Sequence, residues 1–206
     1  SEMCIRDSLQ VIVPLVALVA GSAVVNEEVE NRTITFLFTR PMARSALFVG
    51  RWLATLALVS ALLVGGAYLV VLGAEARAAV EGTGLPADIT SRYLLSVFLG
   101  GATYSILFAM LGIFLRHPMI VGLGYVFAFE ALIANLPGES QSLSIQYYLR
   151  STLVDLDAFV WREVIPPTVV SLGEQAASVQ SLVTMIAVAL VLSAISITKR
   201  QFVLTA

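Results

Sequence analysis

Charged residues make up only 13% of this 206-residue sequence, against about a quarter in ordinary globular domains. Hydrophobic residues reach 58% and the mean hydropathy is +0.91, so a 22.0 kDa chain has too little polar surface to cover itself in water. The formal net charge of −2 supplies no basic field for nucleic acid. One cysteine, Cys4, and one histidine, His117, exclude a disulfide framework and a metal site built from several such ligands. The only lysine, Lys199, ends the last apolar segment, so no Gly-x-x-x-x-Gly-Lys-Ser/Thr phosphate loop exists. Nor does His-Glu-x-x-His, the motif of a zinc protease. What remains is a membrane protein without recognisable catalytic clusters.

The apolar residues fall into long runs. Leu9–Val25, Trp52–Ala74, Tyr93–Leu115, Pro118–Leu136 and Val179–Thr198 hold 17, 23, 23, 19 and 20 residues. A helix crossing about 30 Å of hydrocarbon needs about 20 residues. The expected fold is therefore an all-α polytopic membrane protein with five transmembrane helices. Pro14 in the first run is tolerable where neighbouring helices re-satisfy the freed carbonyl. Ala17 and Gly21 form a small-xxx-small pair that admits a close helix neighbour.

Lysine and arginine counts orient these spans. Residues 26–51, 116–117 and 199–206 carry seven positive charges, and residues 75–92 and 137–178 carry four in a longer total length. The first set is expected in the cytoplasm, with the C-terminus inside and the residue before the first span outside. The polar stretch Ser1–Ser8 ahead of that span is not a signal peptide. Met3–Ser8 resembles the translated end of a sequencing-library adaptor, which would make residues 1–8 non-native, leave residues 9–206 as a single transmembrane domain, and put a further span upstream. A short native tail is the alternative.

The cytoplasmic stretch 26–51 carries most of the information. Acids cluster at Glu27, Glu28 and Glu30, and Ile34, Leu37 and Phe38 share one helical face. Pro41 has no amide to donate and suits the first turn of a new helix, with Thr39 just upstream as a cap. From there a helical pattern continues through Arg44 and Arg51 into the second span. Two readings stand: a short helix, a corner and a long helix entering the bilayer, or a juxtamembrane loop with arginines at the headgroups.

This stretch resembles the signature of ABC-2 type transporter permeases. Glu28, Thr33, Leu37, Pro41, Arg44, Gly50 and Arg51 stand at the family's spacings. Arg32 replaces a usual Gly, Phe38 a usual Leu, and Arg51 a usual Lys. The likeness continues in Gly122-x-x-Tyr125, Glu130, Asn135, Leu143-Ser144-Ile145-x-x-Tyr148 and the turn Leu115–Pro118. The resemblance implies six spans in an intact subunit, with two permease subunits, as a homodimer or heterodimer, served by two cytoplasmic P-loop ATPases in a prokaryotic cytoplasmic membrane. ATP and Mg would be bound by those ATPases and no cofactor by this chain. It further implies that the segment before Pro41 docks in the ATPase. Glu28, Glu30, Thr33 and Arg44 would make polar contacts, Ile34, Leu37 and Phe38 would fill a groove, and closure would drive the long helix beginning at Pro41 to rock the spans for export.

Glu130 lies six positions from the outer end of its span, roughly 9 Å deep. A carboxylate near mid-span costs about 2.5–3.5 kcal/mol, so it must face the bundle or protonate. It belongs either to the translocation path or to a structural hydrogen bond with a neighbour such as Tyr104 or Ser105. His117, between Arg116 and Pro118, reads as an interfacial turn residue. Along residues 137–178, Leu149, Leu153, Leu156 and Val160 keep helical spacing, which predicts short amphipathic helices on or dipping into the outer leaflet, as a gate or a passive cap. Two other function classes remain beside the permease: a membrane-embedded enzyme, which lacks its catalytic clusters, and a non-transporting scaffold that docks a partner through residues 26–44. The cargo is not encoded in composition, since 9% aromatic residues suit lipids, drugs and polymers alike.

Overall fold

The computed structural model describes residues 11–30, 44–81, 87–115, 117–130, 144–153 and 175–199. Among these every element is helical: α1 (Val13–Glu30), α2 (Arg44–Glu81), α3 (Ala87–Phe114), α4 (Pro118–Gly124), α5 (Ile145–Ser151) and α6 (Gln175–Lys199). A wider π-helical turn, Tyr125–Glu130, continues α4.

Helix α3 is the axis. Helices α1, α2, α4, α5 and α6 all pack against it, and 67% of its apolar window is buried, against 22% in α2 and 11% in α6. Its composition explains why. Gly100 and Gly101 sit side by side at mid-helix and face different neighbours. A Cβ on Gly100 would lie 3.1 Å from Leu149 of α5 and 3.2 Å from Val13 of α1, and one on Gly101 would lie 3.0 Å from Leu63 of α2. Small residues on one helix let several backbones come close, which matters in lipid because apolar surface alone does not drive helices together. The hydroxyls of α3 do not oppose this. Ser96, Thr103 and Ser105 donate to the carbonyls of Arg92, Leu99 and Ala102 at 2.9, 2.8 and 3.0 Å, so each is satisfied without water.

Helix α1 turns Val13, Ala17, Gly21 and Val24 inward. The expected Ala17–Gly21 pair is therefore a contact surface. A Cβ on Gly21 would lie 2.7 Å from the Ser105 carbonyl oxygen and 3.1 Å from the Phe108 Cβ. Helix α2 turns in Phe48, Trp52, Val59, Leu63, Ala67 and Val71, while Leu53, Leu58, Leu62, Leu69 and Leu72 face outward. Apolar residues on both faces mark helices that meet protein on one side and hydrocarbon on the other.

The boundaries differ from the apolar runs in instructive ways. Helix α2 spans 38 residues, about 57 Å, and extends past the hydrocarbon at both ends. Residues 75–92, read as an external connection, are mostly helix, since α2 runs to Glu81 and α3 begins at Ala87. The Ala-Glu-Ala-Arg-Ala-Ala stretch has high helix propensity and needs no apolar environment to stay helical. At the other end of α3, Leu115 N–H closes on Leu111 O at 2.9 Å, and Pro118 takes the first position of α4 behind an exposed His117, as the short turn required.

A second difference concerns the helix expected over residues 149–160 at the membrane surface. Helix α5 starts upstream instead, at Ile145, where the Ser144 hydroxyl caps it by accepting the Gln146 amide at 3.2 Å. Ile145, Leu149 and Leu153 are buried in the bundle core rather than laid on a surface. Leu156 and Val160 lie outside the described residues. Of the five expected spans, α2, α3 and α6 contain helices long and apolar enough to cross a membrane, while the shorter apolar helices Val13–Val24 and Pro118–Ala128 lie in α1 and in α4 with its π-helical continuation.

The two sorts of glycine separate in a stability measurement. Gly21→Ala, which must push α1 off the α3 backbone, is expected to cost about 1–3 kcal/mol. Gly65 and Gly66 have nothing within 4 Å of an added Cβ, and Gly65→Ala is expected to stabilise by about 0.5–1 kcal/mol. Thermal unfolding of the purified variants in detergent reads both signs.

Candidate functional site

Helices α1 and α2 flank residues 31–43, so whatever those residues do reaches the bundle through the end of α1 and the start of α2. Both are anchored in one cluster. Val24 of α1, Phe48 and Trp52 of α2, and Ile106, Ala109 and Ile113 of α3 are buried together, and Ile186, Ala189, Leu190 and Ile197 of α6 close the side.

Ser105 is the crossing point of this cluster. Its backbone carbonyl is the atom against which Gly21 of α1 rests. Its hydroxyl accepts a hydrogen bond from the Trp52 indole nitrogen of α2 at 3.3 Å, while donating to Ala102 O at 3.0 Å. Trp52 is 4% exposed and Ser105 fully buried, so this bond lies in a buried interior where an unpaired indole N–H would be costly. One α3 residue thus touches both helices that lead to residues 31–43. A push on either helix is delivered to α3 through packed atoms rather than through a loop.

The rest of the interior is aromatic and hydroxylic. Tyr104 stacks on Phe108 with centroids 6.0 Å apart, and Phe108 meets the edge of Tyr125 at 6.4 Å. Buried Ser144, Gln146, Ser151 and Thr152 belong to α5 and its two flanking turns, and the Thr152 hydroxyl contacts Ser96 of α3. Between α3 and α6 lies a groove of about 320 Å³ lined by Thr103, Ile106, Leu107, Met110, Met185 and Val188 among others. Its walls are apolar with threonine hydroxyls at intervals, a surface for hydrocarbon rather than for charge. Among the described residues, no three His, Cys, Asp or Glu side chains are grouped to hold a metal.

The chain matches the family described as ABC-2 family transporter protein over residues 2–202. It belongs to that family. No curated protein and no solved structure matches it. As an ABC-2 family membrane domain it is a transport component and not itself a catalyst, and its apolar helices are those of a multi-pass membrane protein.

In this ABC-2 family domain, Thr33, Ile34, Leu37, Phe38 and Pro41 lie outside the described residues. The backbones of Glu28 and Glu30 form the last turn of α1, and that of Arg44 opens α2. Their side chains lie outside the description, as does that of Glu130, whose backbone ends the π-helical turn. The sequence assigned no role to Trp52, and offered Ser105 only as a neighbour of Glu130. A tryptophan beside Arg51 at the end of a span reads as an interfacial anchor, and nothing in the sequence announces that it turns inward.

The link between them is measurable. A double-mutant cycle of Trp52→Phe and Ser105→Ala is expected to show a coupling of about 0.5–1.5 kcal/mol in unfolding free energy. Strict additivity would show that the bond contributes nothing.

Proposed function

We propose that the chain is the membrane-spanning permease subunit of an ATP-binding cassette exporter, powered by a separate cytoplasmic P-loop ATPase. The observation that carries this reading is the Glu28…Thr33…Leu37…Pro41…Arg44 pattern, which joins two helices that both contact Ser105, in a chain of the ABC-2 family. In this reading residues 26–44 form the dock. Glu28 and Glu30 pair with ATPase arginines, Thr33 and Arg44 add polar contacts, and Ile34, Leu37 and Phe38 fill an apolar groove with Pro41 at the corner. ATP and Mg reside on the ATPase, and nucleotide-driven closure pushes α2.

The packing supports a rigid route for that push. Helix α2 is continuous from Arg44 to Glu81, without a break where it would enter the bilayer. Trp52 carries its displacement to α3, the helix against which all the others pack, so the bundle rocks as a unit between inward-open and outward-open states. The arginine asymmetry puts residues 26–51 and the C-terminus in the cytoplasm of a prokaryotic cell. The shorter helices α1 and α4 complete five crossings, and a second permease subunit, identical or homologous, lines the other half of the path. Glu130, at the end of the π-helical turn, is the path-lining candidate.

Two experiments test this. Glu28→Lys replaces an attraction at the dock by a repulsion and is expected to weaken ATPase copurification by roughly tenfold or more. ATP-dependent transport in inverted vesicles should fall with it, and intact association and transport in this variant would remove Glu28 from the dock. Glu130→Gln, with normal expression and ATPase binding, is expected to lower transport, whereas unchanged transport would assign Glu130 a structural role. A scaffold that only docks its partner would copurify with the ATPase and move nothing in either background.

A further inference from the structure

We propose that Arg92, together with the adjoining end of α5, forms a binding site for a phosphate-class anion at the end of the bundle away from residues 31–43. The starting observation is a buried cationic nitrogen. Arg92 is half-buried, and its Nη1 is fully buried without a hydrogen-bond partner. A guanidinium donor withdrawn from water and left without an acceptor is costly, so proteins place such groups where an anion completes them.

The surroundings are assembled rather than accidental. The Arg92 carbonyl accepts from the Ser96 hydroxyl at 2.9 Å, and the Ser96 hydroxyl in turn contacts that of Thr152. Thr152 also donates to Leu149 O at 2.7 Å and stands two residues after Arg150. Arg150 closes α5 and brings a second guanidinium whose Nη2 is buried. Arg92 and Arg150, on different helices, thus each stand within about a turn, along the chain, of the hydroxyl pair that ties α3 to the end of α5.

Depth selects the ligand. The apolar part of α3 begins at Thr90, two residues before Arg92, and the apolar part of the neighbouring α2 ends at Arg77. The site therefore lies at the level where hydrocarbon gives way to lipid headgroups. The anion at that depth is a phosphate diester, whose paired oxygens match the guanidinium fork. The same chemistry is presented by inorganic phosphate from solution. This inference does not depend on the transport reading, because it uses only the packing of α3 against α5.

The full chain, purified in a non-ionic detergent, is titrated with phosphatidylglycerol, with diacylglycerol as the phosphate-free control, and with inorganic phosphate. Thermal midpoints and lipid retained in native mass spectrometry are the readouts. Wild-type protein is expected to gain thermal stability from phosphatidylglycerol and none from diacylglycerol. Arg92→Gln loses the gain, and Arg77→Gln, at an exposed position on α2, keeps it. Arg92→Lys retains the charge without the fork and binds roughly tenfold more weakly. Both possible sources support the site: a gain reproduced by inorganic phosphate assigns it to a free anion, and a gain confined to the lipid assigns it to a headgroup. An equal gain in Arg92→Gln and wild type, or from diacylglycerol, overturns the proposal. Should Arg92→Gln fail to fold, an undiminished affinity in Arg92→Lys overturns it as well.

Discussion

In hydrocarbon, leucine gains little by leaving lipid for another leucine, so helix association depends on how closely backbones approach. Everything in this bundle follows from that constraint acting on α3. Gly100 and Gly101 admit α1 and α5 on one side and α2 on the other, and Gly21 of α1 reciprocates by meeting the α3 backbone at Ser105. The hydroxyls of α3 occupy the remaining small positions and return their protons to their own helix. A bulkier α3 would leave the outer helices without a common surface.

The same close packing has a mechanical consequence. Because Gly21 and Trp52 converge on Ser105, the two helices on either side of residues 31–43 do not move independently of α3. Among the described residues, the outer faces of α2 and α6 carry exposed leucines and valines. The molecule thus combines a tightly joined axis with outer faces free to meet lipid or another subunit. That combination suits a domain that changes state as a body rather than through local unfolding.

Several features were legible in the residues. The apolar runs located the helices, the Ala17–Gly21 pair located a contact, and Pro118 after Arg116-His117 located a tight turn. The pattern from Glu28 to Arg44 pointed to the family that the match over residues 2–202 then supplied. Other features were misread for physical reasons. Residues 75–81 carry three charges, which set them outside the apolar span, yet alanine-rich helix propensity continues α2 through them. Leu149 and Leu153 have the spacing of a surface helix, but both are buried, and Leu149 packs against Gly100, 49 positions earlier in the chain.

Composition alone determined that this is a helical membrane protein, because 58% hydrophobic residues in long runs have no stable alternative to spanning helices. It left open which face of each helix is inside. A soluble helix announces its buried face by polarity, but a helix with lipid on one side and protein on the other is apolar all round. What distinguishes the faces is size and hydrogen bonding: a glycine against a carbonyl, an indole against a serine, a serine hydroxyl against a threonine hydroxyl. Those are relations between helices far apart in sequence, and only the tertiary structure decided them.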